Sequence, residues 1–535
     1  MATSIFRQTC FLFLLALFRK LCNSLILYRR KPANMRNISH VHKTGEISNK
    51  TLIFHLEGVL LRSNSLFPYF MLVAFEAGGF LRSFILFLCY PLIWLVGEDQ
   101  LGLKIMVFLS FFGIKKESFR IGTSVLPKFF LEDVGYEGFE VVMSCKRKIA
   151  VSNLPRVMVE GFLKEYLGVK AVVASEMKLV CGYFVGLMEE TKTKEFVLDH
   201  DILGEGKAGC NAVGIGCYNK YFDQQLLSLC KEVYYVSTTE KRKWHTLPRE
   251  KYPKPLIFHD GRLAFRPTPI ASLAMFMWLP LGLFLCIIRF TSGAILPFKM
   301  CAPIHILTGT RLTVSRPGSC LTKNEEKEKG VLYVCNHRTL LDPLYVAYVL
   351  NKPVSAVTYS LSRFSEVMSP IKAIPLTRDR EKDRKLMKSL LSEGNLVVCP
   401  EGTTCREPYL LRFSHLFAEL TDDIVPVAVD VKVSMFYGTT ASGRKCLDPI
   451  FHFLNPNPVY SIKLLEKLPR SYTCKAGAKS NVEVANYVQN EIAKALGFQC
   501  TGYTRKDKYM ILAGDEGIVR SHDPPIRQLY RVNAL

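Results

Sequence analysis

Acidic residues are scarce in this chain of 535 residues, which has 70 Lys and Arg against 47 Asp and Glu and a formal charge of +23 at pH 7. A surplus of this size indicates a negatively charged partner. The sequence has no zinc-finger or RNA-recognition signature and no basic helix with interleaved aromatics, which argues against nucleic acid. An anionic membrane surface or an anionic substrate is left. Because 49% of the residues are hydrophobic and apolar segments adjoin basic ones, the membrane is favoured.

Paired cysteine motifs are also missing. None of the 17 cysteines belongs to a Cys-x-x-Cys pair, so the sequence predicts neither a zinc site nor a thioredoxin-type motif. Several cysteines, including Cys335 and Cys399, lie inside apolar runs and are expected to be buried, reduced thiols. That state suits domains that face the cytosol. We predict no metal ion and no cofactor.

Apolar segments in the middle of the chain predict contact with a membrane. Residues 270–288 run for 19 residues without a charge, long enough to approach a full span. Arg289 ends this uncharged run, and another apolar stretch follows at 290–298. The central Pro280 permits a kinked span or a re-entrant hairpin, with a buried core helix as the alternative. Residues 84–96 and 101–114 are shorter and fit an interfacial or re-entrant pair.

The first 50 residues are basic and nearly free of acid. Residues 11–28 are apolar but carry Arg19 and Lys20 in their middle, and they lack an obvious cleavage site for a signal peptide. We therefore expect a membrane-surface anchor, with a mitochondrial presequence as the alternative.

A histidine followed five positions later by an aspartate is the most informative motif. On one continuous helix, His337 and Asp342 would diverge by about 140°. The apolar residues 331–335 predict a buried strand, however, and Asp342-Pro343 is typical of an N-cap followed by proline at the first helical position. His337 would then lie in a strand-to-helix turn where the two side chains can meet. An imidazole held by a carboxylate is suited to take a proton from a hydroxyl.

Chance and simple structure offer another explanation of this pair. Eleven histidines in a chain of ordinary composition give roughly an even chance of one accidental His-x4-Asp. Asp342 could be only a helix cap, and His337 only a polar turn residue. The decision depends on the motifs that follow.

Downstream of residue 307, short apolar segments recur at helix-sized intervals, which predicts an α/β domain. The predicted strands are 330–335, 396–400 and 424–429, and the predicted helices are 343–350 and 382–391. The second of these strands leads into a turn at the carboxyl edge of the sheet, where open α/β sheets bind ligands. That turn contains Glu401, Gly402 and Thr403.

Two further segments of this domain stand out. Arg378 and Arg380 follow another apolar segment, and two guanidinium groups together are suited to a phosphate. Pro426 lies inside a strand, which indicates an edge or a bend. Each motif alone has a simple explanation as a turn, a solvated charge or an edge strand. Their occurrence together and in this order makes coincidence improbable.

This ordered set resembles the four sequence blocks of the glycerolipid acyltransferases, over roughly residues 301–499. The resemblance implies transfer of an acyl group from acyl-CoA to glycerol 3-phosphate or to a lysophospholipid. It also implies that His337 is the catalytic base and that Asp342 orients it. Arg378, together with Glu401, Gly402 and Thr403, would help to hold the phosphorylated acceptor.

The first half of the chain is similar to the haloacid-dehalogenase-like domain of the land-plant sn-2 glycerol-3-phosphate acyltransferases. Residues 51–61 resemble the strand and turn that bear the phosphatase nucleophile, residues 151–160 the second block, and residues 214–217 the magnesium loop. An active domain would have aspartate at positions 55 and 57, where this chain has His55 and Glu57. Histidine cannot form the acyl-phosphate intermediate.

The magnesium loop departs from the family pattern in the same way. Cys217 and Tyr221 stand near the positions of its aspartates, and both are poor ligands for magnesium. We therefore expect a Rossmann-like fold of this domain without phosphatase activity.

The predicted fold is α/β, with a dehalogenase-like domain that has a hydrophobic insertion, a membrane hairpin, and an α/β acyltransferase domain. The predicted boundaries are an anchor or targeting segment at 1–50, the dehalogenase-like domain at 51–245 with its insertion at 66–115, a transmembrane or re-entrant segment at 268–298, the acyltransferase domain at 301–500, and a basic, solvated or membrane-facing tail at 501–535.

The expected partners are acyl-CoA, sn-glycerol 3-phosphate and membrane lipids, and the expected product is lysophosphatidic acid. The alternatives are a lysophosphatidate acyltransferase, a bifunctional enzyme that releases monoacylglycerol, and a non-catalytic lipid-binding scaffold. The endoplasmic reticulum is the expected compartment and the mitochondrion the alternative.

Overall fold

The computed structural model describes residues 36–37, 50–98, 100–189, 212–217, 230, 232–317, 330–358 and 369–516. The described chain divides into two compact units. The first contains residues up to Leu256 and Arg266–Leu273, and the second contains Ile257–Phe265 and the residues from Ala274 onward. Most of the predicted anchor at 1–50, and the predicted tail after residue 516, lie outside the described residues.

A parallel sheet forms the centre of the first unit. Its strands are β1 (Arg36–Asn37), β2 (Thr51–His55), β3 (Arg147–Val151), β4 (Ala171–Val173), β7 (Ala212–Cys217) and β8 (Glu232–Val236), while β5 (Met177–Val180) and β6 (Tyr183–Met188) form a separate antiparallel pair. The order across the sheet is β1-β8-β7-β2-β3-β4. Parallel sheets are covered on both faces, and accordingly four consecutive residues of β2 are buried without alternation.

The helices of the first unit are α1 (Phe67–Leu88), α2 (Tyr90–Val96), α3 (Leu101–Phe111), α4 (Ile121–Ser124), α5 (Leu126–Asp133), α6 (Tyr136–Ser144), α7 (Arg156–Glu165) and α8 (Thr238–Lys241). The chain also forms a π-helical turn at Leu56–Leu60 and 3₁₀ turns at Lys116–Ser118 and Arg249–Lys251.

The hydrophobic insertion is made of α1, α2 and α3. Its first helix begins at Phe67, at the start of the insertion predicted at 66–115 and ahead of the apolar run at 84–96. At Gly79 the backbone leaves the helical region, with φ 63° and ψ −157°, so α1 is interrupted there. The part before this break is buried in the first unit. The part after it, together with α2 and α3, exposes a group of large apolar side chains: Leu81, Phe84, Ile85, Leu88, Leu92, Trp94, Leu101 and Phe108.

Helix α9 (Pro269–Ile295) is the longest apolar helix in the described part of the chain. Both α1 and α9 are long and apolar enough to cross a membrane by length and composition. In the most apolar window, 44% of α1 but only 22% of α9 is buried in the protein, so α9 is the stronger candidate because core helices of soluble proteins are mostly buried.

Of the two alternatives predicted for this segment, the continuous helix through Pro280 agrees with a span and not with a re-entrant hairpin. Arg289 ends the uncharged run but not the helix. Arg289 is 1% exposed and donates hydrogen bonds to the carbonyls of Phe453 and Asn455, at 2.5 and 2.8 Å. Because the guanidinium group of Arg289 is buried in the second unit, it does not interrupt the exposed apolar face of α9.

The second unit is built on a mostly parallel sheet. Its strands are β9 (Arg311–Ser315), β10 (Leu332–Cys335), β11 (Val354–Thr358), β12 (Lys372–Pro375), β13 (Asn395–Val398), β15 (Ile424–Lys432) and β16 (Val459–Leu464), while β14 (Tyr409–Leu410) pairs separately with β17 (Gln499–Cys500). The order is β12-β11-β13-β10-β15-β16-β9. Neighbouring strands from β12 to β15 run parallel, and β16 is antiparallel to β15.

Two apolar clusters contain the buried side chains of this sheet and of the elements around it. The helices are α10 (Phe298–Leu307), α11 (Asp342–Leu350), α12 (Arg380–Glu393), α13 (Asp448–Phe453), α14 (Asn481–Leu496) and α15 (Arg505–Leu512), with 3₁₀ turns at His415–Glu419, Lys445–Leu447 and Arg470–Tyr472.

The predicted strands and helices of this unit are present, with ends that differ by a few residues. The prediction that Pro426 marks an edge is wrong, because β15 pairs with β10 on one side and β16 on the other. The antiparallel ladder with β16 begins one residue later, at Val427, and Pro426 contributes only its carbonyl, which accepts from the Leu465 N–H at 3.0 Å. Proline is tolerated here because no N–H is required of it.

The predicted solvated tail is wrong for residues 505–512. They form helix α15, which begins with a capping box at Thr504 and Asp507 and buries Lys508, Tyr509 and Leu512.

Candidate active site

Three turns that follow parallel strands carry the residues singled out in the sequence. His337 follows β10, Arg378 follows β12, and Glu401 follows β13. Because these strands are parallel, their carboxyl ends lie at one edge of the sheet. This edge is the candidate active site.

The turn between β10 and α11 brings His337 and Asp342 together. His337 Nδ1 lies 2.9 Å from Asp342 Oδ2. Asp342 is the first residue of α11 rather than its N-cap, and its carboxylate accepts hydrogen bonds from the backbone N–H groups of Arg338 and Thr339. The Asp342 carboxylate therefore has two roles: it holds the backbone of the 337–339 turn, and it orients the imidazole of His337.

A second layer fixes Asp342 itself. Its side chain is fully buried, and Oδ1 accepts a hydrogen bond of 2.8 Å from the Thr339 hydroxyl, which lies 2.8 Å from the hydroxyl of Tyr460. With Nδ1 donating to Asp342, His337 has its Nε2 lone pair available as a base.

Glu401 joins this turn to the next one. Its Oε1 accepts from the His337 N–H at 2.8 Å, and its Oε2 accepts from the Leu411 N–H at 2.9 Å. Burial raises the pKa of Glu401 to about 7, although both hydrogen bonds favour the carboxylate. The sequence predicted that Glu401 helps to hold the phosphorylated acceptor. Both of its oxygens accept hydrogen bonds from backbone donors, and these contacts fix the position of His337. The role of Glu401 in holding the acceptor stays a prediction.

The pKa of His337 reflects opposing influences. Burial alone would lower it, but the adjacent Cys399 side chain and the hydrogen bond with Asp342 raise it well above the usual value. We assign the rise to Asp342, because a hydrogen bond with Cys335 and burial raise the pKa of the Cys399 thiol, which is therefore uncharged near neutral pH.

A cavity of about 430 Å³ opens beside His337. Gly402 and Thr403 also line it, and Gly402 has a φ of 64°, a left-handed conformation that suits glycine. Most of the remaining wall is apolar and includes Phe290, Leu344, Val357, Ile371, Leu376, Met387 and Phe417. The cavity therefore combines a base with room for a hydrocarbon chain.

Arg378 lies on the same sheet edge but is not among the residues that line this cavity. Its φ is 69°, a strained conformation for a residue with a side chain. The Asp383 carboxylate holds the strained turn by accepting from the N–H groups of Thr377 and Arg378, at 2.8 and 3.0 Å. Strain that the surroundings enforce is typical of functional turns.

A further part of the site comes from a segment that sequence reasoning missed, Ile257–Phe265. Its Asp260 accepts from the N–H groups of Ala441 and Ser442, and the side chains of Thr440 and Arg406 also lie against it. These contacts place the 439–442 loop, from which Thr439 and Thr440 line the cavity. No local signal could have revealed this, since nearly two hundred residues separate the partners in the sequence.

The first unit has its own cluster at the end of β2. His55 Nδ1 lies 3.2 Å from Glu57 Oε2. Glu57 Oε1 accepts hydrogen bonds from the Ser152 hydroxyl and from the N–H groups of Asn153 and Leu154, at 2.6, 3.0 and 3.2 Å. Converging N–H groups of this kind form an anion-binding nest, and here a carboxylate of the protein itself occupies it.

The described residues contain no group of three or more His, Cys, Asp or Glu side chains arranged to hold a metal ion. Cys217 belongs to β7, and Tyr221 lies outside the described residues.

Comparison with known proteins agrees with the division of the chain into two units. Residues 320–430 match the family model described as "Acyltransferase", which defines the second unit as an acyltransferase domain. Residues 51–236 match the model described as "Glycerol-3-phosphate acyltransferase RAM2-like, HAD-like domain".

Curated relatives cover nearly the whole chain. The "Probable glycerol-3-phosphate acyltransferase 2" of Arabidopsis thaliana is 52% identical over 90% of this chain and 92% of its own length. The "Probable glycerol-3-phosphate acyltransferase 3" of the same plant is 51% identical over 97% and 99%. The "Glycerol-3-phosphate acyltransferase RAM2" of Petunia hybrida is 44% identical over 87% and 97%. The chain belongs to the family of plant glycerol-3-phosphate acyltransferases.

Replacement of Glu57 tests whether its carboxylate holds the 152–154 turn. In Glu57→Ala, the Ser152 hydroxyl and the Asn153 N–H lose a buried acceptor, and such a loss costs about 1–3 kcal/mol per donor. We expect backbone N–H groups at 152–154 to exchange with deuterium about tenfold faster or more, measured by mass spectrometry. Glu57→Gln keeps an oxygen acceptor and should exchange more slowly than Glu57→Ala. Unchanged exchange in Glu57→Ala would show that other contacts hold the turn.

Proposed function

We propose that this protein transfers a fatty acyl group from acyl-CoA to sn-glycerol 3-phosphate and releases lysophosphatidic acid. The observation that carries the proposal is His337 on the wall of a largely apolar cavity, with the buried Asp342 2.9 Å away from its Nδ1. The names of the relatives specify glycerol 3-phosphate as their acceptor, which supports the same acceptor here.

The chemistry follows from the orientation of His337. A hydroxyl of glycerol 3-phosphate attacks the thioester carbonyl, and Nε2 of His337 takes its proton as the new C–O bond forms. Asp342 stabilises the resulting imidazolium. When the C–S bond breaks, the coenzyme A thiolate leaves and takes the proton from His337, which returns to its neutral state. General-base assistance of this kind contributes about 10²–10⁴-fold in rate.

The apolar part of the cavity would hold the acyl chain. Helix α9 supplies Phe290 and Gly293 to its wall, and its exposed side includes Ile270, Met277, Phe284 and Ile287. An acyl chain that partitions into lipid could therefore reach the cavity along an apolar helix. This arrangement supports a membrane-bound enzyme with membrane lipids as partners, and we assign it to the endoplasmic reticulum with the active domain facing the cytosol.

A covalent route through Cys399 is the alternative mechanism. Its thiol lines the cavity next to His337 and could accept the acyl group before the glycerol does. The thiolate is the reactive form of cysteine, and the pKa of Cys399 is raised well above the usual value. Direct attack by the acceptor hydroxyl is therefore favoured, and no cofactor is required.

The first unit would leave the phosphate of the product in place. His55 stands where a phosphatase nucleophile is needed, and Glu57 fills the anion-binding nest beside it. A phosphate group would have to displace a buried carboxylate to bind there. We propose that this unit has a structural role and that monoacylglycerol is not formed.

The function is tested with membranes that contain the full chain, acyl-CoA and labelled glycerol 3-phosphate. Labelled lysophosphatidic acid is expected from the wild type, and His337→Ala should lower its formation by about 10²-fold or more because the base is lost. His245→Ala removes a histidine that is 83% exposed and serves as the control. Labelled monoacylglycerol would instead indicate an active phosphatase, and unimpaired turnover in folded His337→Ala would rule out the general-base mechanism.

The pH dependence tests the pairing of His337 with Asp342. Only neutral His337 can act as the base, so kcat/KM should fall as the pH is lowered through an apparent pKa above the ordinary value of about 6.5. Asp342→Asn removes the charge that favours the imidazolium. We expect the acidic limb to move to lower pH and the rate at neutral pH to drop about 10²-fold or more. An acidic limb that stays in place in Asp342→Asn would mean that another group titrates.

Replacement of Cys399 separates direct attack from the covalent route. Cys399→Ala should retain at least about a third of the wild-type rate, because the thiol takes no part in direct transfer. Mass spectrometry of the wild type mixed with acyl-CoA alone should find Cys399 without an acyl group. An acylated Cys399, combined with a loss of activity in Cys399→Ala that the exposed-site variant Cys500→Ala does not share, would establish the covalent route.

A further inference from the structure

Helix α15, the last helix of the described residues, packs against the turn that follows β13. Lys508 is buried, and its Nζ donates to the Thr403 hydroxyl at 3.3 Å and to the Thr404 carbonyl at 2.5 Å. This is the same turn that carries Glu401, whose Oε1 accepts the N–H of His337. Helix α15 is thus connected to the turn of His337 through the contacts of Lys508 with Thr403 and Thr404 and of Glu401 with His337.

Tyr509, the next residue of α15, reaches the cavity. Its hydroxyl accepts a hydrogen bond of 2.6 Å from Lys445 Nζ, and both residues line the cavity beside His337. Neither Lys445 nor Lys508 has a carboxylate at salt-bridge distance among the described residues. Lys445 therefore lines the cavity, and Lys508 contacts the Thr403–Thr404 part of its wall, each with hydroxyl or carbonyl partners in place of anionic ones.

The carboxylates of this region are engaged elsewhere. Asp448 also lines the cavity and feels the charge of Lys445, but its carboxylate lies 2.6 Å from Arg262, and Glu407 lies 3.0 Å from His259. Burial would raise the pKa of Tyr509, but the charges of Lys445 and Lys508 lower it below the usual value. The positive charge at this end of the cavity is thus available to an anionic ligand.

Arg378 belongs to the same positive region. Burial of Arg505, at the start of α15, and the nearby charge of Arg378 both lower the pKa of the Arg505 guanidinium. The phosphate-binding arginine that the sequence predicted is therefore close to α15. The match to the acyltransferase family model, 320–430, includes neither Lys445 nor α15.

We propose that Lys445 and Tyr509 bind the phosphate group of the acceptor, and that Lys508 is a positioning residue that holds the Thr403–Thr404 turn against them. This assignment rests on the proposed function. Coenzyme A also carries phosphates, but its pantetheine arm separates them widely from the thioester. In glycerol 3-phosphate the hydroxyls lie one or two carbons from the phosphate ester, so a phosphate site next to the turn of His337 fits the acceptor.

The test compares kinetic constants of the full chain in membranes. Lys445→Ala should raise the KM for glycerol 3-phosphate about 10-fold to 100-fold, the range expected for loss of a charged hydrogen bond. The KM for acyl-CoA should stay within twofold, and Lys445→Arg should recover part of the loss. Lys506→Ala is the matched control, because Lys506 lies on α15 but is exposed and pairs with Glu516 at 2.8 Å.

Two further measurements guard against a folding defect. Tyr509→Phe keeps the ring and should raise the same KM about threefold or more. Inorganic phosphate should inhibit the wild type in competition with glycerol 3-phosphate, and Lys445→Ala should weaken that inhibition by a similar factor to the change in KM.

The outcomes separate this assignment from the proposed function. If the wild type acylates glycerol 3-phosphate but Lys445→Ala leaves its KM within twofold, the assignment is wrong and the function stands. A rise only in the KM for acyl-CoA would mean that the lysine binds coenzyme A, which also overturns it. If the wild type does not acylate glycerol 3-phosphate, the function fails and the assignment falls with it.

Discussion

The hydrogen bond from the His337 N–H to Glu401 connects the turn after β10 with the turn after β13. A turn at the end of a buried strand has N–H groups that the sheet does not pair, and leaving such a donor without an acceptor costs about 1–3 kcal/mol. The second unit meets this constraint repeatedly with buried carboxylates. Asp342 accepts from its own turn, Asp383 from the turn of Arg378, and Asp260 from the 439–442 loop. The geometry of the site thus depends on acids that need not touch the substrate.

In the first unit, a buried carboxylate that accepts from turn N–H groups closes a binding site instead of supporting one. Glu57 accepts from the turn at 152–154, as Glu401 does from the turn of His337. In the second unit the carboxylate lies behind the turn, and a cavity opens beside the histidine. In the first unit the carboxylate occupies the anion-binding nest itself. Two clusters that each contain a histidine and a carboxylate therefore differ in what they leave open to a ligand.

Local sequence predicted the fold well where side chains within a few residues decide the structure. The apolar run before Asn336 and the Asp-Pro pair at 342–343 predicted a strand, a turn and a helix, and all three are present. The errors and the open questions lie where distant partners decide. The sequence left open whether the segment around Arg289 is a span or a hairpin, and the carbonyls of Phe453 and Asn455 that accept hydrogen bonds from Arg289 lie far away in the chain. Pro426 predicted an edge strand because proline has no N–H to donate. In this sheet the ladder with β16 begins at Val427, so no N–H is needed from Pro426. The basic residues after 504 resembled a solvated tail, although Thr403 and Thr404 accept hydrogen bonds from Lys508.

By itself, the sequence determined the α/β pattern of the second half and the turn in which His337 meets Asp342. These depend on spacing and residue type within short stretches, because hydrophobic periodicity and helix-start signals act locally. Only the tertiary structure decided that Glu401 supports the backbone of His337, that Asp260 places the cavity wall, and that α15 brings Tyr509 to the cavity beside Lys445. Each of these contacts joins residues that are far apart in the chain, so no short stretch of sequence could have revealed it. The requirement that buried polar groups be paired is satisfied only after the sheet has formed.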